Sequence, residues 1–218
     1  MLEWKKIDTV LLDMDGTLLD LNFDNHFWQE FVPLKFSEKA GIPIELAKRQ
    51  LEPRFKSMEG KLEWYCLDYW SEALDLDIVG LKAEISGLIA VLPHVTEFLE
   101  KVRQSSRKLI LVTNAHRDSL GLKMDKTCLQ AFFDAIICSH DFGLAKEQAG
   151  FWPLLQKRHP FAKEHTLLVD DSPAVLHSAS QFGIAHLVSV SKPDSTRPKK
   201  QIADFPAIED FRELMAGL

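Results

Sequence analysis

Five short runs rich in valine, isoleucine and leucine recur along the chain, at residues 10–12, 109–113, 135–138, 167–169 and 187–190. None alternates apolar with polar residues, the pattern of strands buried on both faces of a parallel sheet. Stretches with helical character, 118–129, 147–157 and 173–182, stand between most of them. Strand and helix in turn predict an α/β fold, a doubly wound, Rossmann-like parallel sheet. One region breaks the rhythm. From residue 20 to 90 apolar residues recur at helical spacing, as in Phe23, Phe27 and Phe31 or Leu62, Tyr65 and Tyr69, punctuated by Pro33, Gly41, Pro43, Pro53, Gly60 and Gly80. This predicts an inserted all-helical cap domain at 20–90, within a core of 1–19 and 91–218. Pro93, tolerated at a first helical position, would start the helix that returns to the sheet.

With 218 residues, 46% of them hydrophobic, the chain can bury a substantial core. A formal net charge of -6 argues against a global basic field for nucleic-acid polymers or anionic membranes. No run approaches the roughly 18 apolar residues of a membrane span, and the first residues lack the apolar stretch of a signal peptide. Cys66, Cys128 and Cys138 form no CxxC pair and read as reduced core thiols of a cytoplasmic protein. The histidines show neither HxxxH spacing nor a companion cysteine, which argues against zinc. The polar stretch 191–200 reads as a solvated loop.

The chemistry sits where strands end. Asp13-Met14-Asp15-Gly16-Thr17 follows the first run, Thr113-Asn114 ends the second, Lys146 follows the third, and Asp170-Asp171 ends the fourth. Parallel strands bring these ends to one edge, where open α/β sheets bind ligands. Buried carboxylates are costly unless paired or holding a metal. Phosphoryl transfer needs such a set. A carboxylate can serve as nucleophile, a hard divalent cation offsets its repulsion from phosphate, and cationic or hydrogen-bonding groups hold the phosphoryl oxygens. Asp13, Asp170 and Asp171 can ligate a metal, Lys146 supplies a compact charge, and Thr113 and Asn114 can donate. Gly16 lets the loop turn its N–H groups toward an anion. Singly, these residues read as caps, turns and a solvated lysine; together and in order they do not. Ser172 and Pro173 also make a good helix start, as N-cap and N1.

At these motifs the chain resembles the haloacid dehalogenase-like phosphohydrolase superfamily, with its D-x-D-G-T loop, strand-end threonine, isolated lysine and acidic pair. The resemblance spans nearly the whole chain, including the helical cap. It implies Asp13 as nucleophile and Asp15 as the acid, then base. It implies phosphate contacts from Asp13, Met14, Asp15, Thr113, Asn114 and Lys146. It also implies Mg²⁺ held by Asp13, the Asp15 carbonyl, Asp170 and Asp171. The segments Leu19–Trp28, Trp64–Trp70 and Thr113–His116 resemble bacterial purine 5′-nucleotidases that act on GMP and IMP. That branch implies hydrolysis of purine nucleoside 5′-monophosphates by a monomer or weak homodimer, with Asn25, His26, Trp64 and Tyr69 as candidate substrate contacts. Aromatics at helical spacing ordinarily pack, so Trp64, Tyr65, Tyr69 and Trp70 read first as cap core. A phosphatase of another small metabolite, a sugar phosphomutase and a non-catalytic binding protein on the same fold remain alternatives. A metal-free dehalogenase is disfavoured by Asp15.

Overall fold

A computed structural model describes residues 2–218. Its sheet has six strands, β1 (Thr9–Leu12), β2 (Lys108–Thr113), β3 (Ala135–Cys138), β4 (Thr166–Asp170), β5 (His186–Val190) and β6 (Ala207–Ile208), in the order β3-β2-β1-β4-β5-β6 and all parallel. β1 is central, pairing Leu11 with Ile110 on one side and with Leu168 on the other. Its side chains explain the lack of alternation. Val10 and Leu12 join one apolar layer with Phe98 and Leu99, while Leu11 joins the opposite layer with Trp152 and Leu176. Both faces are therefore dry, as the uniform apolar runs require. β6 was not anticipated, because two residues carry no periodicity.

The insert runs through α1 (Asn22–His26), a π-helical turn (Phe27–Phe31), α2 (Val32–Ala40), α3 (Ile44–Lys56), α4 (Leu62–Tyr65), α5 (Leu67–Leu74) and α6 (Ile78–Glu84). Its core gathers Phe27, Val32, Leu51, Trp70, Leu74 and Ile78. Entry and exit run side by side. Leu19 and Val91 form an antiparallel bridge, Asp20 donates to the Ala90 carbonyl at 2.9 Å, and Leu92 donates to that of Leu18 at 2.9 Å. Pro53 does not punctuate. It lies exposed in the last turn of α3, where the interrupted backbone bond is left to solvent. The aromatic stretch 64–70 is likewise two helices, because Cys66 is extended between α4 and α5.

After the insert, α7 (Val95–Gln104) starts two residues beyond Pro93, with His94 as its N-cap. α8 (Arg117–Thr127) stops at a left-handed Cys128, short of the expected residue 129. α9 (Phe151–Arg158) starts four residues later than expected, since the segment after Lys146 is spent on turns. α10 (Pro173–Phe182) starts as expected with Ser172 at its N-cap position, but the Ser172 side chain makes no capping bond. Asp170 Oδ1 takes the Ser172 N–H instead, at 3.0 Å. The polar stretch 191–200 is not merely solvated. Pro193 and Asp194 are buried, Asp194 accepts from Asn25 Nδ2 at 2.6 Å, and Arg197 bonds Gln29. Of the cysteines, only Cys138 is core; Cys66 is half-buried and Cys128 exposed, and all are free.

Candidate active site

The strand ends of β1, β2 and β4 and the loop after β3 meet as the topology requires. Lys146 is their hub. Its Nζ donates to Asp13 Oδ1 at 2.5 Å, to Asp170 Oδ2 at 2.7 Å and to the Val112 carbonyl at 3.1 Å. Gly16 has φ of 82°, and a Cβ there would stand 2.7 Å from Asp171 Cγ, so the first loop can approach the acidic pair only through glycine. Thr17 Oγ1 accepts the Asp171 N–H at 3.1 Å and ties the two loops together. Thr113 Oγ1 accepts from the Ala115 N–H at 3.0 Å, which leaves its own proton to donate. Asn114 is largely engaged within the protein. Its Oδ1 accepts from the Lys146 N–H and its Nδ2 donates to Glu147 Oε2, both at 2.9 Å, so it fixes the lysine loop to the end of β2. The Met14 side chain is fully buried in the core, so only its backbone can face a ligand.

Burial pushes Asp13 up to about 6 against the pull of Lys146, with Asp170 adding to the rise. Asp170 is pushed to about 6 by burial and then by Asp171, with Lys146 opposing. Burial and then Asp13 push Asp171 to about 6, although Lys200 reaches its Oδ2 at 3.2 Å. Burial alone would lower Lys146, but Asp13 and Asp170 override it and hold the ammonium above its usual range. Ligand oxygens of Asp13, Asp170 and Asp171 lie within 4.8 Å of one another. Three mutually repelling hard oxygen donors fit a divalent metal ion, whose charge would relieve the repulsion.

A second charged network was not foreseen. Lys123 on α8 donates to Asp15 Oδ1 and to Asp24 Oδ2, each at 2.6 Å, and Lys82 on α6 donates to Asp24 Oδ1 at 2.6 Å. The two lysine side chains are 2% and 3% exposed, so neither is an ordinary solvated lysine. Burial raises Asp15 to about 6 even against Lys123. Asp24, for which burial would do the same, is held well below the usual carboxylate range by the two lysines. A sequence signal did exist. Lys82 lies four residues after the buried Ile78, and Lys123 follows the buried Ser119 and Leu120, so both fall on the buried face of a helix.

Above this floor opens a cavity of about 790 Å³, lined by Asp13, Asp15, Thr113, Asn114, Lys146, Asp170 and Asp171 below and by insert residues above. Its size suits a small organic ligand. Trp28 and Trp64 stack at 6.2 Å with planes 29° apart, and Phe55 meets both edge-on at 5.6 and 6.0 Å. Of the four insert candidates, Trp64 and Asn25 line the cavity, although Asn25 is bonded to Asp194. Tyr69 packs against Trp70 and His26 is exposed; neither lines it. Trp28, Phe55 and Tyr65 line it unforeseen as contacts; the Tyr65 hydroxyl donates to Glu147 Oε1 at 2.6 Å, joining insert to core.

Residues 7–183 match the haloacid dehalogenase-like hydrolases. The chain is 40% identical over 215 residues to the GMP/IMP nucleotidase YrfG of Escherichia coli K12, covering 99% of this chain and 97% of that protein. It is 24% identical over 216 residues to the pyrophosphatase PpaX of Oceanobacillus iheyensis, covering 96% of this chain and 95% of the other. In fold it is similar to the crystal structure of a HAD phosphatase from Thermococcus onnurineus, with a TM-score of 0.80 at 23% identity, across 96% of this chain and 97% of that one.

Proposed function

The chain belongs to the haloacid dehalogenase-like hydrolases, and from that premise we propose that it hydrolyses purine nucleoside 5′-monophosphates, GMP and IMP among them, through an aspartyl-phosphate on Asp13. It is a phosphoric monoester hydrolase; the substrate and the residue roles are our reading. The observation that carries it is one cavity with a phosphate-suited floor, Asp13 beside Lys146, Thr113 and the acidic pair, under the aromatic wall of Trp28, Phe55 and Trp64. The name of the Escherichia coli relative supports the nucleotide assignment.

In this reading residues 20–90 are a cap over a core of 1–19 and 91–218, joined at the paired neck of Leu19 and Val91. Asp13 attacks phosphorus, and its buried, poorly solvated carboxylate is the more reactive for it. Thr113 Oγ1 and Lys146 Nζ hold the phosphoryl oxygens. Asp15 protonates the leaving 5′ oxygen and then removes a proton from the water that attacks the aspartyl-phosphate. A carboxyl near 6 suits both tasks at neutral pH. Asp13, Asp170, Asp171 and the Asp15 carbonyl would hold Mg²⁺, which when bound neutralises charge on the phosphoryl group. The purine of the leaving group lies against Trp64 and Trp28, where base and ring stack.

The test is phosphate release from a panel of GMP, IMP, pyrimidine 5′-monophosphates, ribose 5-phosphate and glucose 6-phosphate with Mg²⁺. The expected result is a kcat/KM for the purine nucleotides at least about tenfold above every other compound, the size of one stacked ring. A sugar phosphate preferred over both purine nucleotides would overturn the substrate assignment.

A further inference from the structure

Three metal-ligating side chains far apart in sequence meet at the seam between insert and sheet. Cys66 sits in the extended break between α4 and α5, His116 just after β2, and His140 just after β3. Their potential ligand atoms lie within 4.8 Å of one another. The two imidazoles meet edge-to-face at 5.1 Å, and His116 Nδ1 and His140 Nε2 are buried with no hydrogen-bond partner among the described residues. Each such orphaned group costs about 1–3 kcal/mol. Folding alone gives no reason to keep two of them beside a free thiol. The nearest carboxylates are Asp118, 3.4 Å from His116 Nδ1, and the exposed Asp68, 3.5 Å from His116 Nε2.

We propose that Cys66, His116 and His140 form a site for a borderline-soft divalent ion of the zinc class, and that the ion ties the insert to the strand ends. One thiolate and two imidazoles suit Zn²⁺ far better than Mg²⁺, while the carboxylate floor has the opposite preference. The fourth tetrahedral position falls to water. Cys66 belongs to the insert and the two histidines to the sheet, so an ion on all three holds the insert down over the cavity. The site stands on side chains outside the phosphoryl-transfer set, so it does not depend on the proposed substrate.

The experiment is a cobalt titration of the full chain, stripped with chelator, kept in excess Mg²⁺ and reduced without added thiols. Wild type should develop a thiolate-to-cobalt charge-transfer band that saturates at one equivalent. Cys66→Ser should lack the band, and His140→Gln, which removes a ligand outright, should weaken binding by more than the roughly tenfold that loss of an outer-shell partner costs. No band in wild type, or an unchanged band in Cys66→Ser, overturns the site. One equivalent of Zn²⁺ should also slow amide exchange across residues 66–70 in wild type and not in Cys66→Ser. A cobalt band without that slowing overturns the tie between insert and sheet.

Discussion

At the floor of the cavity, Lys146 binds two carboxylates and a carbonyl supplied by three different strands. At its helical wall, Trp28, Phe55 and Trp64 hold one another by their rings. The floor crowds buried carboxylates round one lysine, and burial and mutual repulsion hold Asp13, Asp170 and Asp171 above their ordinary range. The wall is an ordinary apolar cluster that happens to face inward. In the proposed reading, chemistry is thus placed by strand ends whose positions the sheet dictates, and recognition by helices that can drift without disturbing it. The two regions touch through few polar pairs, of which Asp24 with Lys123 and Tyr65 with Glu147 reach closest to the reacting groups.

The most severe test of that division is Asp13→Asn. Turnover should fall roughly 10⁴-fold or more, while the metal-free protein unfolds at no lower temperature, because one member of a repelling set has gone. Steady-state phosphate release and thermal unfolding measure the two sides. A variant that loses much stability would mean that the floor is structural as well as chemical.

Lys123→Met tests the junction. It leaves Asp15 and Asp24 buried near each other without their shared cation, so the orientation of Asp15 should suffer. We expect kcat to fall roughly 10²-fold, the scale of impaired proton transfer, with KM little changed and Lys123→Arg recovering part of the loss. Wild-type kcat in Lys123→Met would reduce the network to a structural ion pair. Smaller still is the effect expected at the wall. Trp64→Ala should lower kcat/KM for GMP about tenfold, one lost stack, and leave ribose 5-phosphate unaffected. Equal losses on both substrates would make Trp64 packing alone.

The same two regions differ in how far they could be read from residues. The floor was legible because each acid, threonine or lysine follows an unbroken apolar run, and burial on both sheet faces leaves a run no other place. The wall was half legible. Helical spacing located the insert, but not which aromatic faces inward: Tyr69 turned toward Trp70, whereas Phe55 and Trp28 turned to the cavity. Asp194 stands in a stretch polar enough to be solvated, yet it is buried and accepts from Asn25. Lys82 and Lys123 were hidden by the default that lysines snorkel to water. Cys66, His116 and His140 have no spacing motif, because three separate chain segments deliver them.

The smallest expected effect concerns the charges of the floor. Asp13, Asp15, Asp170 and Asp171 are each raised from 3.8 to about 6. Between those values the folded protein keeps protons that the unfolded chain has lost. The stabilising contribution of these groups is therefore full below about pH 4 and lost as pH rises through about 6. A divalent ion binds Asp13, Asp170 and Asp171 deprotonated, so it should restore more stability where that loss is complete. Saturating Mg²⁺ should raise Tm by a few degrees, about the shift of 1 kcal/mol, at about pH 7.5 and by almost nothing at about pH 5. Asp171→Asn should shrink the gain at the higher pH. A gain equal at both pH values would place the ion away from the carboxylates, and the floor would lose the feature that most separates it from the wall.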